Sequence, residues 1–328
     1  MSTVYVTARP RIHIALSDMG NATQRAYGGV GFSVDGLPSI WKLTAASDVI
    51  VSNIDKLDQL AQDELVRLAQ LLGERIALKG FRAELKAVAP QHRGFGTKTT
   101  LCLSLIAAVC ALHNLKLDRH TIQKLSGRGG ASGVGVNLFF DGGIIWDGGH
   151  NTETITSILP SSARASSEVP PVLGRWPFPR DWGIALVLPE GVAANGAYEK
   201  AFFELHAPIP RVDALETVAI VCHGIVPGFA TTNLELLRTS LIRLHDTGFK
   251  KREVDGQSTS VRSTLKLLQN STDLAVGMSS MGPLLYCIFQ RSRSPEQLIE
   301  SLVAEQQATL LGFFKGWNTS YESANEHK

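Results

Sequence analysis

The sequence predicts an α+β protein built of two domains. Three observations carry that expectation. The chain has 328 residues, 44% of them hydrophobic, enough for two cores at roughly 100–200 residues per domain. Segments with the two-residue period of strands are interleaved with segments of helical period, without a regular βαβ repeat, which favours two layers over a doubly wound parallel sheet. A Ser- and Pro-rich stretch over residues 160–180 carries no period and marks a linker. The boundary is therefore expected near residue 170, giving domains 1–170 and 171–328.

Residues 4–16, the first element, mix β-branched residues with Arg9, Arg11 and His13 and read as one strand. A polar stretch, Ser17 to Tyr27, leads to a Gly28-Gly29-Val30-Gly31 turn. Leu57, Leu60, Ala61, Leu65, Leu68, Leu72 and Ile76 recur at helical spacing, predicting an amphipathic helix from about Asp55 to Ala77. Residues 82–89 alternate charged and apolar, a strand that Pro90 ends; the loop Gln91 to Lys98 then opens an apolar helix from Thr99 to His113. Val136 to Phe140 and Ile144 to Trp146 read as short β segments. In the second half, Gly183 to Leu188 and Thr217 to Ile225 are expected as strands, and Thr232 to His245 and Pro283 to Gln290 as helices. Ser294 as N-cap and Pro295 at the first helical position open a last helix to about Phe314, and the polar tail after Trp317 is expected to be loose.

Composition narrows the function. Lys and Arg total 32 against 30 Asp and Glu, a net charge of +2. Nucleic-acid or acidic-membrane binding needs a clustered excess of cations, and none is present, so neither partner is expected. The first residues lack the cationic, apolar and small-residue segments of a secretory signal. The longest apolar stretch, Leu101 to Leu112, is shorter than the roughly 20 residues a bilayer needs, so a cytoplasmic location is expected. Cys102, Cys110, Cys222 and Cys287 form no CxxC pair and sit among aliphatic residues, as buried reduced thiols do. The 30 glycines are a small surplus, but nine of them fall between Gly127 and Gly149.

Three segments have the composition of an anion site. The first is Pro90-Gln-His-Arg-Gly-Phe-Gly-Thr-Lys-Thr-Thr100, between a strand and a helix. Gly94 and Gly96 let backbone amides approach a ligand, the helix start adds unpaired N–H groups, and Lys98, Thr97, Thr99 and Thr100 add a cation and hydroxyls. Its spacing is not the Walker pattern GxxxxGK[ST], which disfavours a P-loop NTPase. The second is Gly127-Arg-Gly-Gly-Ala-Ser-Gly-Val-Gly-Val136 with Asp141-Gly-Gly-Ile-Ile-Trp-Asp-Gly-Gly-His150. Tight turns explain Gly142 and Gly143. They explain less well Arg128, Ser132, Asp147 and His150, polar groups set between glycines. In the third, Gly277-Met-Ser-Ser-Met-Gly-Pro283, Ser279 and Ser280 suit either an anion contact or a helix cap.

These segments, in this order, resemble the motifs of the GHMP kinase superfamily. The first motif is Ala8-Arg-Pro-Arg-Ile-His-Ile-Ala-Leu-Ser-Asp-Met-Gly20, the Gly94–Thr100 loop stands where that family has its phosphate loop, and Ser279-Ser-Met-Gly-Pro283 stands for the third motif. Within it the chain is most similar to β-ribofuranosylaminobenzene 5′-phosphate synthase and related C-nucleoside synthases of the formycin type. That likeness rests on Arg11-Ile-His13, Asp18-Met-Gly20, Tyr27-Gly-Gly-Val-Gly-Phe32, Gly127-Arg-Gly with Ser132-Gly133, and Gly142-Gly143 with Asp147-Gly-Gly149.

The resemblance implies a GHMP kinase-like fold. Its N-terminal domain would be like the second domain of a small-subunit ribosomal protein, and its C-terminal domain ferredoxin-like. It also implies an enzyme that joins 5-phosphoribosyl diphosphate to an aromatic or heteroaromatic carboxylate, such as 4-aminobenzoate or a pyrazole carboxylate, releasing diphosphate and carbon dioxide. Diphosphate departure leaves positive charge on the ribose carbon, so Lys98 and Mg²⁺ are expected at the leaving group, with Asp18 and Asp147 as metal ligands or stabilisers of the cationic carbon. Arg11, His13, Arg25 and Arg128 are the expected partners of phosphate and carboxylate. Lys98 in the loop, and Ser132-Gly-Val-Gly135 without a carboxylate, weigh against phosphoryl transfer. An ATP-dependent small-molecule kinase and a silent ligand sensor on the same fold stay open beside this reading. A homodimer is the default assembly.

Overall fold

The computed structural model describes residues 3–77, 80–155, 157–161, 163, 168 and 170–326. The strands of the first half are β1 (Thr3–Ala8), β2 (Arg11–Asp18), β3 (Arg25–Ser33), β4 (Ser39–Ala45), β5 (Val49–Ser52), β6 (Phe81–Ala87), β7 (Ile144–Asp147) and β8 (His150–Asn151). After them come β9 (Val172–Trp176), β10 (Trp182–Leu188), β11 (Leu274–Met278), β12 (Leu285–Gln290), β13 (Thr309–Phe314) and β14 (Glu322–Glu326).

Three sheets result. The first has the order β14-β1-β4-β6-β5, antiparallel except for β5 on β6. The second runs β2-β3-β7-β9 with β8 also on β3, and the third, β11-β12-β10-β13, is antiparallel throughout. Alternation explains the first sheet. Val4, Val6, Trp41, Leu43, Phe81 and Ala83 point to one face, where the helices Gln59–Leu72 and Thr97–Leu112 cover them. Asp58 caps the former helix by accepting from the Ala61 N–H at 3.0 Å. The latter is buried on nearly every side, which is why its sequence is apolar without amphipathic period. The second and third sheets share a core in which Phe32, Phe178, Trp182, Phe229 and Tyr286 meet the helix Leu234–His245.

Several expectations are corrected. Residues 4–16 form two strands in different sheets, because Pro10 cannot donate to a ladder and breaks the run after Ala8. Gly28-Gly29-Val30-Gly31 is not a turn but the middle of β3; Gly29 and Gly31 are where His13, Ser132 and the Ile12 carbonyl pack within 3.0 Å of where a Cβ would stand. The long helix stops at Leu72 and continues as a single wider turn, Gly73–Ala77. Residues 134–141 are helical, not a strand.

Thr217–Ile225 lies in helix, as part of an apolar helical run, Arg211–Ala230, half buried in the protein and by length and composition alone sufficient to cross a membrane. Its β-branched residues pack as a helix face on the second sheet's core, so tertiary packing overrides propensity. Residues 285–290 form the strand β12, the last helix ends at Glu305 before β13, and the tail forms β14 on β1. With β9 on β7, residues 172–176 and 322–326 belong to sheets of the first half, on the far side of the boundary expected at 170. Cys102, Cys110 and Cys287 are buried thiols, and Cys222 is half-buried.

Candidate active site

The loop before the helix Thr97–Leu112 is held open by backbone that favours glycine: φ is +104° at Gly94 and +67° at Gly96. Gly96 precedes the first turn without a side-chain cap, so the amides there are not covered by a capping side chain. β2 is stitched to this loop, since the Arg11 N–H donates to the Phe95 carbonyl (3.2 Å) and Arg11 Nη1 to the Gly94 carbonyl (3.2 Å). Ser279 completes the seam. Buried, its Oγ accepts from the His13 N–H (3.1 Å) and donates to the Gly94 carbonyl (2.7 Å), while the Ser280 N–H donates to the His13 carbonyl (2.8 Å). Three segments far apart in sequence thus meet at one point. Neither serine is a helix cap, because the element they lead into is the strand β12.

Two adjoining cavities open there. The outer, about 280 Å³, is lined by the loop residues Gly94, Gly96, Thr97, Lys98 and Thr99 and by Asp58, His92 and Leu60. The inner, about 90 Å³, is lined by His13, Ser132, Phe203, Glu199 and Glu253 among others. Arg11, Arg128, Thr99, Glu199, Ser280 and Met281 line both and so stand at the junction. Arg128 Nε donates to Thr99 Oγ1 (3.2 Å) and its Nη1 to the Ser161 carbonyl (3.4 Å). Both arginines are thereby fixed by neutral oxygens, and among the described residues neither forms an ion pair with a carboxylate. Burial lowers the Arg11 guanidinium to about 10, with Glu199 opposing and Arg128 adding to the shift, so it stays charged at neutral pH. Two cations held by neutral oxygens at a junction of cavities invite an anion.

The remaining expected residues divide. Thr97 and Thr100 turn their hydroxyls back to the loop, Thr97 Oγ1 to the Pro90 carbonyl (2.9 Å) and Thr100 Oγ1 to the Gly96 carbonyl (3.4 Å). Lys98 lines the outer cavity, but its ammonium pairs with Glu64 of the preceding long helix. Asp18 lies away from the cavities, only 2% exposed; its carboxylate accepts the N–H groups of Gly20, Ala22 and Thr23 and so shapes its own turn. Asp147, 1% exposed, accepts from Ser132 Oγ (2.8 Å) and the Gly149 N–H (2.9 Å). Burial pushes it up to about 6 against those hydrogen bonds. Arg25 spans the carbonyls of Gly148 and Gly149, and His150 Nε2 meets the Gly129 carbonyl at 3.0 Å; both fasten β3 and the glycine turns and do not line the cavities.

A magnesium site at Asp18 and Asp147 does not fit, because each carboxylate is buried, engaged by donors and outside the cleft. Among the described residues no group of three His, Cys, Asp or Glu side chains is arranged for a metal.

Sequence reasoning missed Glu199, Lys250 and Glu253. Lys250 and Glu253 form a buried ion pair at 2.5 Å, and Lys250 Nζ also donates to the Ser280 carbonyl (2.8 Å), so the pair fixes the segment at the junction. Burial raises the Glu253 carboxyl, with Lys250 opposing. Only Glu199 had a local signal, since Asn195 caps the helix Gly196–His206 that carries it. His92 was missed as well. Its Nε2 meets the Asp58 carboxylate (2.9 Å) and its Nδ1 the Ala194 carbonyl (3.2 Å), tying the loop to the second half of the chain.

Comparisons with known proteins give the family and the fold. A family model described as the GHMP kinases N terminal domain matches residues 59–141. The chain is similar to homoserine kinase from Cytophaga hutchinsonii (TM-score 0.71, 15% identity, 98% of this chain and 97% of that one). It is also similar to phosphomevalonate kinase from Streptococcus pneumoniae (TM-score 0.69, 12% identity, 96% and 100%). At such identities these two show the fold alone. Nearer in sequence are the β-ribofuranosylphenol 5′-phosphate synthases of Archaeoglobus fulgidus, 31% identical over 281 residues, 85% of each chain, and of Methanothermobacter thermautotrophicus, 29% identical over 284 residues, 85% of this chain and 86% of that one. With a GHMP kinase fold and a relative of that identity and coverage, the chain belongs to the β-ribofuranosylphenol 5′-phosphate synthase family.

Proposed function

We propose that this protein is a C-ribosyltransferase that joins 5-phosphoribosyl diphosphate to an aromatic carboxylate bearing an electron-donating group, with release of diphosphate and carbon dioxide. The observation that carries this reading is the pair Arg11 and Arg128, charged, held by neutral oxygens and not ion-paired among the described residues, at the junction between a glycine loop and a second, inner cavity. An outer chamber for diphosphate and an inner one for an acceptor is the division that a two-substrate transfer requires. The name of the relatives supports the acceptor class, since a ribosylated phenol arises from a hydroxybenzoate when the carboxylate is the group displaced.

In this reading the amides after Gly94 and Gly96 hold the diphosphate, and Arg11 and Arg128 stabilise the charge that grows on it as the ribose C1–O bond breaks. The ring carbon bearing the carboxylate bonds to ribose C1. Carbon dioxide then leaves, and the pair of electrons from its bond restores the aromatic ring. Magnesium enters as the counter-ion of the diphosphate substrate. Excluding water matters because an exposed ribosyl cation would be hydrolysed; the strap of Ser279 to Met281, clamped by Lys250, closes that side.

The test is a direct assay with 5-phosphoribosyl diphosphate, Mg²⁺ and a panel of 4-hydroxybenzoate, 4-aminobenzoate and pyrazole carboxylates, reading diphosphate, carbon dioxide and the mass of the product. Ribosylated product with one carbon dioxide per diphosphate is expected. ADP formed from ATP with a small alcohol, and no reaction with 5-phosphoribosyl diphosphate, would overturn it.

A further inference from the structure

His13, which lines the inner cavity, carries a polar atom that the fold leaves without a partner. His13 is 6% exposed, and its Nε2 is buried with no hydrogen bond. Such atoms are rare in folded proteins because their lost hydration is not returned. The ring lies beside Ser132 at a place kept empty by Gly29: a Cβ there would stand 3.0 Å from His13 Nε2 and 2.7 Å from Ser132 Oγ. The void of about 90 Å³ that His13 lines exceeds the roughly 10–15 Å³ that one water needs by the same measure. Glu253, paired with Lys250, lines only this cavity, whereas Arg11 and Arg128, with Glu199 beside them, stand at its mouth. A carboxylate fits the mouth, where the two arginines stand. A hydroxyl or amino group fits the interior, where His13 Nε2 is the atom without a partner.

Resting on the proposed aromatic acceptor, we infer that the inner cavity is the subsite for the ring's hydroxyl or amino group, with His13 Nε2 as its hydrogen-bond acceptor, so that the carboxylate end of the ring faces Arg11 and Arg128. Burial, Arg11 and Lys250 hold the imidazole far below its ordinary pKa, so the ring is neutral and has an acceptor nitrogen to offer. The same contact serves the chemistry. A hydroxyl that donates to His13 becomes more electron-releasing, and that density reaches the carbon opposite, the one that attacks ribose. His13 is then a residue that both selects the acceptor and sets the direction of the ring.

Binding separates this inference from the reading beneath it. Calorimetric titrations of 4-hydroxybenzoate and of benzoate, in saturating Mg²⁺ and inorganic diphosphate, should show the hydroxylated acid bound about tenfold more tightly, the value of one hydrogen bond in a buried site. In His13→Phe the two acids should bind within about twofold of each other, while inorganic diphosphate binds as in the parent, which also shows that the variant is folded. His13→Asn, which restores an acceptor, should recover part of the preference. Gly29→Ala fills the same space from the opposite strand and should abolish the preference while leaving diphosphate binding. Equal affinity for the two acids in the parent, or a tenfold preference that survives in His13→Phe, would overturn the inference and leave the acceptor class standing. Failure of the parent to bind either acid would overturn the acceptor reading itself.

Discussion

Gly96→Ala tests how far the phosphate loop and Arg11 depend on one another. Gly96 sits at φ +67°, and a Cβ there would lie 2.8 Å from both Cγ and Nε of Arg11. The left-handed backbone costs an alanine about 1–2 kcal/mol, so the native state should lose that much stability. The steric clash adds little more, because the atoms in the way belong to a long side chain that can swing aside. Swinging aside takes the guanidinium from the Gly94 carbonyl, 3.2 Å away, and from the junction of the cavities. One charged hydrogen-bond donor is worth about 1.5–3 kcal/mol, which is about 10- to 150-fold in diphosphate affinity. Urea unfolding and calorimetric titration with inorganic diphosphate, on the same preparation, measure the two effects separately. Arg11→Met should weaken diphosphate by a similar factor, and the double variant should weaken it no further. An alanine variant that loses stability but binds diphosphate within twofold of the parent, or a double variant whose losses add, would refute the idea that Gly96 acts through Arg11.

Three further outcomes are expected. Glu64→Gln should free Lys98 for the outer cavity and strengthen diphosphate binding about threefold, in line with the modest worth of a half-exposed pair; unchanged affinity would make Lys98 a tie between two helices only. Lys250→Met leaves the buried Glu253 without its partner and should cost about 3–5 kcal/mol in chemical denaturation, most of it recovered when Glu253→Gln is added. Asp147 binds its proton more tightly folded, at about 6, than unfolded at about 3.9. Its contribution therefore favours the native state below about pH 4 and declines as pH rises through 6, by about 3 kcal/mol in all. Asp147→Asn should remove that slope from unfolding free energies measured between pH 4 and 7.5, and a slope unchanged in the variant would assign it to other groups.

How much of the molecule was legible in the sequence depends on where the determining information lies. The helices 59–72 and 97–112 were readable because their apolar residues are either periodic or continuous over more than ten positions. The run Leu-Tyr-Cys-Ile-Phe of β12 is short and hydrophobic at every position, and such a run has no period that separates a strand from a helix. Thr217 to Ile225 misled in the opposite sense, because its β-branched side chains take helical backbone to fill the space beside the second sheet. In the site, Gly94, Gly96, Arg11 and Arg128 stood out through local composition and do converge. Lys98 stood out equally, but its pairing with Glu64 depends on how two helices pack, and no window of sequence contains it. Asp18 and Asp147 looked like metal ligands because a reaction that expels diphosphate calls for acidic groups, whereas each carboxylate in fact accepts the N–H or O–H groups of its own surroundings, Gly20, Ala22 and Thr23 for the one and Ser132 and Gly149 for the other.

The pairing of β14 with β1 has a consequence for how the protein is made. Thr3 to Thr7 lie opposite residues 322–326, in a register that runs Thr3 to Glu326. During synthesis β1 therefore waits for its outer neighbour until residues 322–326 have left the ribosome. Until then β1 is an open sheet edge with Val4 and Val6 on its buried face, a surface on which another nascent chain can pair. A ribosome-bound chain ending before residue 322 should self-associate where one that carries residues 322–326 does not, so β14 acts as a stopper on β1.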